Sequence, residues 1–297
     1  MKYVITGGAG HISRPVTEKL LAAGHEVKVI GRNADHLKEI KSKGAKIAIG
    51  SVEDVQFLID AFKGADAVYT MVPPNFTPAD WKAWIGQIGA NYATAIKAAG
   101  VKYVVNLSSI GAHAPDGVGP VSGLHRAEEA LNKLADVNIK HLRPSYFFDN
   151  LLANVGLAKN AGIVGSNFGG ENFTMILADV RDIAEAAADE LLHLQFKGHT
   201  VRYIASDERG TNEIAQVLGK AIGKPELPWV VFSNDDAFNG MLQAGLPEEA
   251  AKNYAEMGNA IHTGLMFEDY WKHHPGKLGK VKLEDFATTF ATVYNAN

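Results

Sequence analysis

The sequence predicts an α/β fold in which a doubly wound parallel sheet is followed by a smaller mixed α/β C-terminal lobe. Three observations lead there. Five short apolar strands in the first half alternate with helical stretches, an order that requires a parallel sheet with right-handed crossovers. The first strand runs directly into a glycine cluster and then a helix. Beyond residue 150 the alternation gives way to mostly helical patterns, which divides the chain into residues 1–150 and a smaller lobe, residues 151–297, from which some segments return to the main sheet.

The opening stretch is the most informative. Lys2-Tyr3-Val4-Ile5 leads into Thr6-Gly7-Gly8-Ala9-Gly10-His11-Ile12-Ser13, and Arg14 to Ala23 reads as a helix with one apolar face. That order points free main-chain N–H groups and the positive end of the helix dipole at one spot, where a pyrophosphate belongs. The spacing Gly7-x-x-Gly10-x-x-Ser13 is a variant of the Rossmann-type dinucleotide fingerprint with serine in the last glycine position. Gly7 would allow the turn, Gly10 would let the backbone approach the phosphates, and small Ser13 would still permit close packing of helix on strand. An ordinary strand-to-helix turn is the bland alternative, but the context that the fingerprint demands is met.

The second strand, Val27 to Ile30, exits through Gly31-Arg32-Asn33. An acidic residue at this exit takes the ribose hydroxyls in NAD-preferring sites. Arg32 stands there instead, and a guanidinium can hold a 2′-phosphate bidentately, which favours NADP(H) while leaving NAD(H) possible. His36 and Lys38 could add positive charge. A helix is expected from Ala34 to Lys43, a third strand from Ala45 to Gly50, and a further helix from Val55 to Phe62. Ser51 and Val52, in the loop after the third strand, are candidate adenine contacts, although Ser51 could equally be a helix cap. The fourth strand, Ala65 to Val72, enters Pro73-Pro74, whose fixed backbone suits a rigid wall along a cofactor at Met71, Val72 and Pro73. After a helix from about Pro78 to Ala99, the fifth strand, Val101 to Leu107, ends in Ser108-Ser109.

In the second half, Ile139 to Pro144 is a sixth strand leading into Ser145-Tyr146-Phe147-Phe148, where Tyr146 and its aromatic neighbours could stack on a nicotinamide and leave an apolar slot for a flat acceptor, or could equally be plain core. Gly162 to Gly170 reads as a mobile glycine-rich segment. Val201 to Ala205 and Trp229 to Phe232 are further strands. Helices are expected at 183–194, 211–222, 235–243, 247–264 and 283–294. His125 and Ser108 are the candidate catalytic groups. An imidazole titrates near roughly pH 6.5 and could supply a proton, and the strand-end hydroxyl of Ser108 can bond a substrate oxygen or the carboxamide of a bound cofactor. His125 at a solvent-facing helix start is the competing reading, and Ser108 could simply cap a turn. His113 could close over a bound ring. His273-His274-Pro275-Gly276-Lys277 reads as an exposed turn, and no histidine and carboxylate spacing suggests a metal site.

Composition narrows the classes further. With 46% hydrophobic and 21% charged residues the chain has the balance of a globular protein. No apolar run approaches the roughly 20 residues that a membrane helix needs, and the start of the chain is a structural strand rather than a signal peptide, so a cytoplasmic protein is expected. The absence of cysteine removes disulfides and thiolate chemistry. A formal net charge of -4 speaks against general nucleic-acid affinity. The expected partner is a small-molecule acceptor, with a homodimer or a regulatory protein partner left open.

Thr6-Gly7-Gly8-Ala9-Gly10-His11-Ile12, Gly31-Arg32-Asn33, Gly50-Ser51-x-x-Asp54, Leu107-Ser108-Ser109, Leu142-Arg143-Pro144 with Phe147-x-Asp149-Asn150, and Asp179-Val180-x-Asp182-Ile183-Ala184 together resemble the NmrA-like group of atypical short-chain dehydrogenases, in an order and spacing that run over nearly the whole chain. The resemblance implies an NAD(P)-binding Rossmann domain over residues 1–150 with a smaller substrate lobe over residues 151–297, and NAD(P)H binding with cofactor contacts extending to His11, Ile12 and Asn33. It also implies either a reductase of quinones, azo dyes or triphenylmethane dyes or a redox sensor that binds the dinucleotide without turnover. The short-chain family's Tyr-x-x-x-Lys is absent from Val118 to Glu129. A catalytic lysine of related reductases would fall near His125 or Arg126. The favoured reading is an NADPH-dependent reductase of a quinone-like acceptor. The alternative is a weakly catalytic NAD(P)H sensor.

Overall fold

A computed structural model describes residues 1–296. The first half contains β1 (Lys2–Ile5), α1 (Ser13–Ala22), β2 (Glu26–Gly31), α2 (Lys38–Ser42), β3 (Lys46–Ile49), α3 (Val55–Phe62), β4 (Ala67–Met71), α4 (Trp81–Ala99) and β5 (Tyr103–Leu107). Then come α5 (Val121–Asn132), β6 (Asn138–Pro144), β7 (Tyr146–Phe147), α6 (Val155–Asn160), β8 (Val164–Ser166), β9 (Thr174–Ala178), α7 (Val180–His193), β10 (His199–Ile204), β11 (Asp207–Gly210), α8 (Thr211–Ala221) and β12 (Trp229–Val231). The chain finishes with α9 (Asn234–Gln243), α10 (Glu248–His262), α11 (Glu268–Lys272) and α12 (Leu283–Ala296).

Seven strands form the central sheet in the order β10-β6-β5-β4-β1-β2-β3, all parallel. Alternation along each strand sends side chains to both faces. Tyr3 and Ile5 of β1 and Tyr69 of β4 pack with Val16, Leu20, Ile183 and Leu191 on one side, beneath α1 and α7. Val4 and Val68 pack with Leu58, Phe62, Tyr92, Ile96 and Leu131 on the other, beneath α3, α4 and α5. The sheet is therefore covered on both faces, which explains why its strands are continuous apolar runs. Because the chain proceeds outward from β1 in one direction and then from β4 in the other, the crevice between their carboxyl ends is the topological switch point where ligands bind.

The second half supplies β10 to this sheet and builds its own apolar core, in which Phe148, Leu177, Leu218, Trp229, Tyr270, Phe286 and Phe290 are buried. A small sheet in the order β11-β9-β7 and the β12-β8 pair complete it. Two local readings of the sequence are corrected. The helix expected from Ala34 to Lys43 is a 3₁₀ turn, Asp35–Leu37, followed by the short α2. Gly162 to Gly170 is not a loose segment throughout: it contains β8, whose Gly165 lies so close to β12 that a Cβ there would stand 2.1 Å from the Val230 carbonyl oxygen.

Candidate active site

The glycine turn is built by close approach. Gly7 has φ +87°, and a Cβ on it would lie 2.6 Å from Ser13 Oγ and 3.0 Å from Met71 Cγ. Ser13 is buried and donates its hydroxyl to the Thr6 carbonyl at 2.9 Å, so the serine that replaces the last fingerprint glycine seats α1 on β1. No side chain caps the start of α1 and no acidic residue occupies its first turn. That leaves the N-terminal end of the helix dipole with no negative charge of its own. Gly10 is exposed and Ile12 is buried, so Ile12 can offer a ligand only its main chain. His11 is exposed and its Nδ1 stands 3.6 Å from Asp149 beyond β7.

The other predicted cofactor residues lie on successive strand exits. Arg32 is exposed just past β2 and forms no ion pair among the described residues, whereas neighbouring Arg14 is paired with Glu39 at 2.9 Å. The Asn33 side-chain oxygen accepts from the Asp35 N–H, shaping the turn. Ser51 and Val52 are half-buried after β3. Ser51 is not the helix cap; Asp54 caps α3 by accepting from the Phe57 N–H at 2.9 Å. This loop is held by Asn91 of α4, whose amide donates to the Val52 and Glu53 carbonyls at 3.3 Å each. The β4 exit is fixed from two sides: the Met71 N–H donates to Thr6 Oγ1 at 3.0 Å, and the Met71 carbonyl accepts from the Tyr92 hydroxyl at 2.7 Å. Val72 and Pro73 follow, half-buried.

At the β5 exit, Ser108 is buried and its Oγ has no hydrogen-bond partner among the described residues; the same holds for Ser145 Oγ at the β6 exit. The two exits run side by side, with the Ser108 N–H donating to Leu142 and the Ile110 N–H to Pro144. Beside them lies a cavity of about 210 Å³ lined by Ser109, Ile110, Ser145, Tyr146, Phe147, Asn150, Met257, Ile261, Met266 and Phe267. Tyr146 is half-buried, and its ring meets Phe168 edge-on at 5.7 Å. A larger cavity, about 840 Å³, runs along the outer edge of β10. Four strand spacings, roughly 19 Å, separate that edge from β1, so this larger space is remote from the glycine turn.

His125 sits on α5, half-buried, and its Nδ1–H donates to the Ala112 carbonyl at 2.8 Å. That bond assigns the donor role to Nδ1 and leaves Nε2 as the nitrogen able to take up and release a proton. The orientation of α5 is fixed one turn later by a network that sequence reading missed. The buried Arg143 guanidinium forks onto Glu128 at 3.1 and 2.6 Å and reaches the Tyr203 hydroxyl at 3.0 Å and Asp269 at 3.2 Å. Tyr203 also donates to Asp269. Its members lie 15 to 126 residues from Arg143, so the only sequence signal was the Leu142-Arg143-Pro144 motif itself. Both ring nitrogens of His113 are buried without hydrogen-bond partners among the described residues, and its electrostatic neighbours are Asp269, Arg143, Glu268 and Lys272. It belongs to this network's surroundings, and burial holds its pKa below the ordinary value.

The arrangement fits a dinucleotide: an uncapped helix start over a glycine cradle that a Cβ would fill, an unpaired arginine at the next strand exit, and orphaned buried hydroxyls at the far strand ends. Among the described residues no group of three or more histidine or acidic side chains could hold a metal ion, and no helix is long and apolar enough to cross a membrane. The (4-alkanoyl-5-oxo-2,5-dihydrofuran-3-yl)methyl phosphate reductase of Streptomyces griseus is 25% identical over 265 residues, covering 88% of this chain and 87% of the relative. The NAD(P)H azoreductase of Xenophilus azovorans is 26% identical over 256 residues, covering 86% and 85%. The fold is similar to that of an NADPH-dependent quinone oxidoreductase from Escherichia coli solved with NADPH, with a TM-score of 0.82 at 21% identity over 97% of this chain and 99% of the other. Residues 7–191, which span the glycine turn and the exits of β1 to β6, match the family described as NAD(P)H-binding. The chain belongs to that NAD(P)H-binding family.

Proposed function

We propose that the protein is an NADPH-dependent oxidoreductase that passes hydride to a small, flat, conjugated acceptor of quinone type. The observation that carries the reading is the cavity of about 210 Å³ beside the β5 and β6 exits. An apolar cavity of about 150 Å³ admits benzene, so this one matches a single substituted ring. The named activities of the two relatives, both reductases, support the same class.

When bound, the cofactor supplies the hydride from its nicotinamide. The chain's own part is to bind, orient and exclude water. Main-chain N–H groups of the turn after β1 would hold the diphosphate, Arg32 would hold the 2′-phosphate, and Met71, Val72 and Pro73 would form a rigid wall along the cofactor. Ser108 and Ser145 offer buried hydroxyls to an amide or acceptor oxygen. In a conjugated acceptor the arriving charge is delocalised, so a strong general acid is less necessary than for an isolated carbonyl, and the absence of the Tyr-x-x-x-Lys pair is chemically tolerable. His125 Nε2 is the candidate proton donor.

NADPH oxidation measured against quinones, azo dyes and enones tests the reading. Turnover with quinones is expected. Tight NADPH binding without turnover of any acceptor would overturn it and favour a dinucleotide sensor acting through a protein partner.

A further inference from the structure

The cavity of about 210 Å³ has room for one ring, yet an aromatic surface continues outward from it. On α10, Met257 and Ile261 line the cavity, and Tyr254 lies three and seven residues earlier, on the same face of the helix. Tyr254 meets Trp81 edge-on, with ring centroids 5.5 Å apart, and Phe76 at 6.2 Å. Phe76 contacts Trp81 at 5.1 Å and leaves 39% of its surface exposed. An exposed phenylalanine in a loop is commonly mobile, but this one is held. Pro73 and Pro74 restrict the backbone before it, and Asn75 Oδ1 accepts from the Thr77 N–H at 3.1 Å and the Thr77 hydroxyl at 2.8 Å. The Trp81 cluster also contacts Val72, at the β4 exit, and Leu124, next to His125. The platform thus joins the β4 exit through Val72 and the cavity through Tyr254, which acts electrostatically on Tyr146 of the cavity lining.

Resting on the reductase reading above, we infer that Phe76, backed by Trp81 and Tyr254, is an outer stacking subsite that selects acceptors carrying a second aromatic ring, fused or linked. The inner cavity takes the reducible ring and the platform takes the rest. Both phenols nearest the junction, Tyr146 and Tyr254, are pushed up by burial and stay neutral, so the lining favours an uncharged ring.

The test is calorimetric, with NADP⁺-loaded protein so that no turnover intervenes. 2-Methyl-1,4-naphthoquinone, uncharged and with its reducible ring at one end, serves as the multi-ring probe and 2,6-dimethyl-1,4-benzoquinone as the single-ring probe. One lost aromatic contact corresponds to a change of about threefold to tenfold. Phe76→Ala should shrink the affinity ratio of the two probes by that factor, and Phe76→Tyr should restore it. A ratio unmoved by Phe76→Ala, or an absence of naphthoquinone binding to the unaltered protein, would overturn the inference. If NADPH reduces neither quinone while the ratio still shifts, the reductase reading fails and the subsite stands. If both are reduced and the ratio does not move, the subsite fails and the reductase reading stands.

Discussion

Replacing Gly7 by alanine should separate the two reasons for which that position is glycine. The backbone there has φ +87°, a conformation that costs an L side chain about 1–2 kcal/mol. The new methyl would also stand 2.6 Å from Ser13 Oγ, which can yield only by breaking its bond to the Thr6 carbonyl, and 3.0 Å from Met71 Cγ. Overpacking of this kind adds about 1–3 kcal/mol. Gly24 supplies the control: its φ is +80°, but nothing lies within 4 Å of where its Cβ would be, so Gly24→Ala should cost only the backbone share. Urea unfolding should therefore show Gly7→Ala losing about 1–3 kcal/mol more than Gly24→Ala. NADPH affinity should fall more than tenfold in the first variant alone, because the start of α1 has been displaced. Equal losses in stability for the two variants would refute the close-approach account of the turn.

Three other predictions follow from the site. Arg32→Asp should weaken NADPH by well over tenfold while changing NADH severalfold at most, since a charge-assisted bond to phosphate is worth about 1.5–3 kcal/mol; equal losses by calorimetry would remove Arg32 from the phosphate. His125→Ala should lower kcat for quinone reduction and leave the NADPH dissociation constant unaltered, and an unchanged kcat would retire it as proton donor. The pH dependence of stability should reflect His141, which is buried with Nδ1 accepting from Asn106 at 3.1 Å and Nε2 donating to Asn132 at 3.0 Å. Burial lowers its pKa below the unfolded value of about 6.5, and His113 is shifted the same way. The unfolded chain then binds more protons, so stability is full above about pH 6.5 and declines as the pH falls below it. A urea midpoint that stays flat from about pH 7 to 5 would contradict this.

The fold was legible wherever one strand fixed its own pattern. β1, β2, β4 and β5 are buried on both faces, so each is an apolar run that needs no partner to be recognised. The small sheet was not visible, because β7 has two residues and exists only through pairing of Tyr146 with Leu177, more than thirty positions away. Gly165 misled for a physical reason: glycine marks loose chain in a loop but close backbone approach in a packed strand, and only the neighbour at Val230 tells the two apart. At the site, the glycine turn could be read from local spacing. The ion-pair network of Arg143, Glu128, Tyr203 and Asp269 could not, since long-range packing alone brings its members together. The surroundings of His113 are equally long-range, since they come from the segment around Asp269.

If main-chain amides after β1 hold the diphosphate and Arg32 selects the phosphorylated adenosine, calorimetric titration of the unaltered protein must distinguish NADPH from NADH. NADPH should bind at least tenfold more tightly than NADH. Equal affinities would contradict the role of Arg32, and no heat with either nucleotide would contradict the account as a whole.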